Sequence, residues 1–159
     1  MTVGKPYKKT NDAIDRLSLL QFEVTQNNAT EPRFRNEYWR HYDAGLYVDV
    51  VSGEPLFLST HKFASSSGWP SFSRPVAPGA VTEHADDSHG MKRIEIRSVH
   101  GDSHLGHVFR DGPEADGGMR YCVNSAALRF IPAQDLHKAG YARFAARLAQ
   151  AETGGQNEH

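Results

Sequence analysis

Sulfur and long apolar runs are what this chain of 159 residues has least of. It holds a single cysteine, Cys122, so no intrachain disulfide is available. A solitary thiol fits a reducing compartment, and the cytoplasm is the expected location. Nowhere does the sequence approach the roughly 20 apolar residues that a membrane helix needs. The opening "MTVGKPYKKTNDA" has lysines with no apolar core behind them, so it is not expected to act as a secretory signal. An excess of either charge is also missing: 18 Lys and Arg stand against 19 Asp and Glu, a net charge of -1. Without a basic stripe or a Lys/Arg run, neither nucleic acid nor a membrane surface is an expected partner. Repeats and low-complexity tracts are absent as well.

What is present reads as one domain, long enough to bury a core without disulfides or a structural metal. Residues 1–9 read as a flexible arm, 10–133 as the main domain and 134–159 as a C-terminal helix and tail. "TNDAIDRLSLLQFEVTQ" spaces Ile14, Leu17 and Leu20 as a helix, with Thr10 or Asn11 as N-cap. From about residue 45 the period becomes two, and "GLYVDVVSGEPLFLS" has the pattern of a hairpin. "MKRIEIRSVHGDSHLGHVFRDGP" predicts two strands around Gly101-Asp102, and "GMRYCVNSAALRFIP" a further strand. After Pro132, Leu136, Tyr141, Phe144 and Leu148 line one face of a closing helix. Helices at the ends and strands between predict a β-rich α+β fold with antiparallel sheets.

Cys122 admits two readings. A lone cysteine is most often a small buried hydrophobe. Strand alternation points the other way: Met119, Tyr121 and Val123 share one face, and Arg120, Cys122 and Asn124 share the other. A nearby guanidinium favours the thiolate and is expected to lower the thiol pKa. Leu128 and Phe130 have the parity of Cys122, so a bulge or bend is expected between Ser125 and Ala127 if both face the core. His104 and His107 in "HLGHVF" are open to three readings: structural polar groups, metal ligands, or acid/base groups. Three residues apart on a regular strand, they should face opposite ways. Trp69 in "GWPSF" is either a loop anchor or the apolar wall of a ligand site.

Taken in order, "SGEPLF", "GWPSF", "RIEIRS", "HLGHVFRDGP" and "RYCVNSAALRF" resemble the methionine sulfoxide reductase B family over roughly residues 10–133. The resemblance implies two antiparallel β-sheets with flanking helices, and reduction of the R epimer of methionine sulfoxide in peptides and proteins. It implies Cys122 as nucleophile and Trp69 as the cradle for the sulfoxide methyl. His104 and His107 would be the pair acting on the sulfoxide oxygen, with Asn124, Arg120 and Asp111 as the supporting polar shell. No cofactor is implied, and a monomer is expected.

Two departures qualify the resemblance. Many family members carry two C-x-x-C pairs that hold zinc; those positions here are Asp49, Ser52, Ser98 and Gly101, so no metal site is expected and packing must supply the stability. Some members have a resolving cysteine where this chain has Ser67. Recycling of Cys122 would then fall to an external reductant, thioredoxin or a small thiol. Two other readings of the chain remain at this stage: a non-catalytic binding module around Trp69, and a metalloprotein using His104, His107 and a carboxylate.

Overall fold

The computed structural model describes residues 7–149; the expected terminal tail, and the arm except for its last three residues, lie outside that range. Two short helices open it, α1 (Asn11–Asp15) and α2 (Leu19–Asn27). Nine strands follow among the described residues: β1 (Gly45–Asp49), β2 (Pro55–Leu58), β3 (Lys62–Phe63), β4 (Ser71–Phe72), β5 (Val81–Asp86), β6 (Arg93–Ser98), β7 (His104–Phe109), β8 (Arg120–Val123) and β9 (Leu128–Pro132). A third helix, α3 (Leu136–Ala139), comes after them. The strands build a three-stranded sheet in the order β2-β1-β9 and a six-stranded sheet in the order β3-β4-β8-β7-β6-β5. Every pairing is antiparallel. The fold is therefore β-rich α+β with two antiparallel sheets, as the pattern predicts.

β1 is buried along its whole length because its two faces serve two cores. Tyr47 joins Leu56, Phe57, Phe72, Ile96, Leu105, Val108 and Val123 in one cluster that also takes Val24 from α2. Phe57 and Phe72 stack there with ring centroids 4.4 Å apart. Leu46 and Val48 turn the other way, against Leu58, Ile131, Leu136, Tyr141 and Leu148. Each such side chain, removed from water, contributes about 1.5–3 kcal/mol.

The short strands β3 and β4 and the edge strand β5 are not among the expected elements, and three of the expected elements differ from the sequence reading. The N-terminal helix breaks at Ser18, whose hydroxyl accepts from Gln21 N–H at 3.1 Å while the Gln21 side chain accepts from Ser18 N–H at 2.9 Å. That reciprocal cap starts a new helix and leaves Leu20 46% exposed, outside the core. The closing helix is interrupted at Gly140, which takes a left-handed conformation (φ 92°) and ends α3 after four residues; Ala142–Phe144 form a 3-10 turn, and residues 145–149 are helical again. Leu136, Tyr141 and Leu148 still reach the core, delivered by three short pieces. Finally, "GMRYCVNSAALRFIP" is two strands in different sheets. The 3-10 turn Ser125–Ala127 joins β8 to β9 and resets the parity, so that Leu128 and Phe130 face the core.

The four positions that the resemblance sets against zinc-binding cysteines, Asp49, Ser52, Ser98 and Gly101, do converge, under the β1–β2 and β6–β7 turns. Asp49 accepts from Ser98 Oγ (2.5 Å), Ser103 Oγ (3.2 Å) and the N–H groups of Val51 and Ser52. Glu54 accepts from Ser52 Oγ (2.6 Å) and the N–H groups of His100 and Gly101. Both carboxylates are buried, and burial raises Asp49 above the usual carboxylate range against the pull of Ser98 and Val51. This oxygen-rich set, already filled by hydrogen-bond donors, does not fit a thiolate zinc site. Packing is thus not the whole of what replaces those cysteines here: a polar network ties the two turns together.

Candidate active site

Cys122 sits in the middle of β8, opposite His107 of β7 on one side and Ser71 of β4 on the other. Directly opposed residues of adjacent strands point to the same face, so thiol and imidazole are neighbours on the polar side of the six-stranded sheet. Tyr121 and Val123 point to the core, as strand parity requires. The backbones of β7 and β8 come close because residue 106 is glycine. A Cβ there would lie 2.0 Å from the Cys122 carbonyl oxygen.

His104 joins this face through an irregularity that the sequence does not announce. β6 and β7 pair Ile96 with Gly106 but then Arg97 with His104, so Leu105 is an extra residue in β7. This bulge rotates His104 onto the side of His107, and the two rings lie 5.6 Å apart. The expectation of opposite faces is corrected by that one residue. A separate carboxylate orients each imidazole: His104 Nδ1 meets Glu95 at 2.6 Å, and His107 Nε2 meets Asp86 at 2.7 Å. Arg97 holds Glu95 in turn, at 2.7 Å. Burial pushes His104 below its usual value, although Glu95 opposes the shift, and its Nε2 is buried with no hydrogen-bond partner. Asp86 is held well below the usual carboxylate range, chiefly by hydrogen bonds from Ser88 and His107.

A cleft of about 390 Å³ opens over Cys122. Trp69, His107, Arg120, Cys122, Asn124 and Ser67 all line it, and so does Arg33. His104 and Asp111 do not: the former is buried beside His107, and the latter is exposed on the far side of Arg120. Asp111 grips Arg120 with two hydrogen bonds, at 2.9 and 3.2 Å. Asn124 is buried with its amide committed at both ends, donating to Leu105 C=O and accepting from Glu31 N–H, each at 3.0 Å. The Cys122 thiol donates to Ser67 Oγ at 3.9 Å.

Charge alone predicts a lowered thiol pKa, and the structure corrects this. Burial dominates and pushes the Cys122 thiol up, while Arg120 and the Ser67 hydroxyl pull it back. Cys122 is a free, partly buried thiol. As for metals, no group of three or more His, Cys, Asp or Glu residues among those described stands close enough to hold an ion.

Glu31 is the residue that the sequence reading missed. It is 2% exposed, and its carboxylate accepts the N–H groups of Ser125 and Ala126, just beyond Cys122. Its own carbonyl accepts the Trp69 indole N–H at 2.9 Å, and its N–H binds Asn124. One residue therefore fixes the indole wall, the amide and the turn after the thiol. Its contacts lie 38 to 95 positions away in the chain, and no local pattern signals them.

Two antiparallel sheets present a partly buried thiol, one clamped imidazole and an indole in one cleft, with the second imidazole buried behind the first, an arrangement suited to an oxidoreductase. A family model described as the SelR domain matches residues 17–132, most of the chain. The protein belongs to that family, the methionine-R-sulfoxide reductases, and is an oxidoreductase acting on methionine sulfoxide. Among the described residues, no helix is long and apolar enough to cross a membrane.

Proposed function

We propose that Cys122 performs the reduction alone, through a sulfenic acid that external thiols return to the reduced state. The supporting observation is the pairing of Cys122 with His107 on adjacent strands, in a cleft that Trp69 walls. The substrate's methyl group rests on the indole, while its S=O dipole requires hydrogen-bond donors; leaving that dipole unpaired costs about 1–3 kcal/mol. An indole wall facing a polar side thus favours one sulfoxide epimer. The Cys122 sulfur attacks the sulfoxide sulfur as the thiol proton passes to the sulfoxide oxygen, with His107 as the relay and His104 holding its position alongside. The protonated oxygen then moves from the substrate sulfur to the Cys122 sulfur: the substrate S–O bond and the transient S–S bond both break, a Cys122 S–O bond forms, methionine leaves with the electron pair, and Cys122 is left as the sulfenic acid. Arg120, oriented by Asp111, and Asn124, fixed by Glu31 and Leu105, shape the cleft around that step.

With Ser67 in the resolving position, a first external thiol condenses with the sulfenic acid and releases water. A second thiol then reduces the mixed disulfide. Thioredoxin or a small thiol fills this role, and the reading places the protein as a monomer in the cytoplasm, repairing oxidised proteins. A rapid-mix assay with R-sulfoxide peptide and no reductant should release at most one methionine per chain, with a sulfenic acid trapped at residue 122. Cys122→Ser should abolish reduction with the fold intact. Several methionines per chain without added thiol, or activity surviving in that variant, would sink the proposal.

A further inference from the structure

Resting on the reductase reading above, we propose that Arg33 binds a carboxylate flanking the methionine sulfoxide, so that acidic peptides are the preferred substrates. Three guanidinium groups line the cleft, from Arg33, Arg93 and Arg120, and none of the lining residues carries a carboxylate. Two of the three have anionic partners set back from the cleft. Asp111 holds Arg120 in a two-pronged grip, and Asp86 lies 3.6 Å from Arg93. Arg33 has no ion pair among the described residues; its guanidinium lies 5.0 Å from the centre of the Trp69 ring.

That position is built rather than incidental. Phe34 N–H donates to Gly68 C=O at 2.8 Å, and the Asn36 side chain donates to the carbonyls of Pro32 (2.9 Å) and Gly68 (3.0 Å). Gly68 adopts a left-handed conformation (φ +87°), and a Cβ on it would lie 2.8 Å from the Arg33 Cβ, so the glycine makes room for this arginine. The turn that carries Arg33 is therefore docked on the loop that carries Trp69. A methionine sulfoxide whose methyl rests on the indole leaves its main chain and neighbours at the rim, where a cation on a fixed backbone is ready for an anion. The carboxylate has two sources, an adjacent Asp or Glu side chain or the C-terminus of a chain that ends in methionine sulfoxide.

The test compares R-sulfoxide peptides in two pairs: glutamate or glutamine next to the sulfoxide residue, and a C-terminal sulfoxide residue as free acid or amide. At low salt, kcat/KM should favour the acidic member of a pair by about three- to fivefold, the range of an exposed ion pair. The ratio should fall as salt is added, fall to one in Arg33→Gln, and be retained in part in Arg33→Lys. A preference in the glutamate arm alone identifies side chains as the source; one in the free-acid arm alone identifies chain ends. Equal rates within both pairs, or a preference that persists in Arg33→Gln, would overturn the inference while leaving the reductase reading intact. If no peptide is reduced in a Cys122-dependent way, that reading itself fails and takes this inference with it.

Discussion

Glu31 carries its carboxyl at about 7, raised from 4.5 chiefly by burial, against hydrogen bonds from Ser125 and Ala126 that pull it down. Between those two values the native state keeps a proton that the unfolded chain has released, so stability falls as pH rises through that window and is greatest below it. In urea unfolding, the wild type should lose about 3 kcal/mol relative to Glu31→Gln across the window; parallel stability profiles would contradict the assignment. A second test at this scale uses the 3.9 Å between Cys122 Sγ and Ser67 Oγ. Replacing the hydroxyl by a thiol in Ser67→Cys requires only about 2 Å of approach to form a disulfide. After one turnover this variant should show no free thiol and no trappable sulfenic acid. Continued trapping of sulfenic acid at Cys122 would mean that the loop cannot deliver residue 67.

Among the elements, β7 does most to assemble the site. Its extra residue, Leu105, puts both imidazoles on the polar face, and Gly106 lets β8 approach closely. Gly106→Ala would drive a methyl into main chain that has nowhere to move, so a loss of about 1–3 kcal/mol is expected, together with most of the activity. Thermal unfolding and kcat measured on the same preparation check this, and an active, equally stable variant would refute it. Strand parity on β8 was legible because an edge of mixed polarity, Arg120-Cys122-Asn124, alternates with an apolar one. The hairpins were legible from their turn residues. The β7 bulge was not, since an additional Leu in a strand leaves no compositional mark. The break at Ser18 did carry a signal, the S-x-x-Q spacing of a reciprocal cap, but the apolar periodicity running through it masked the stop. Glu31 was hidden for another reason: its role is set entirely by distant contacts.

Viewed as a whole molecule, the described part of the chain uses residues 136–148 as a cover. The SelR match ends at residue 132, yet Leu136, Tyr141 and Leu148 close the outer face of the three-stranded sheet against Leu46, Val48, Leu58 and Ile131. Leu136→Ala should therefore cost about 2–5 kcal/mol, the range for a buried leucine. Calorimetry would show the loss, and a change within a few tenths of a kcal/mol would make the segment dispensable. Sequence periodicity found these apolar positions correctly and erred only in joining them into one helix. It could not foresee that Gly140 would bend the path while keeping the same residues inward.

The knot of Asp49, Glu54, Ser98 and Gly101 carries a consequence for a protein whose substrate is itself a product of oxidation. It fastens two distant hairpin ends with oxygen acceptors and N–H or O–H donors, groups that peroxide leaves untouched. The chemistry proposed for Cys122 would therefore have no foothold in this corner of the scaffold, and the architecture would stay indifferent to a redox cycle a few strands away.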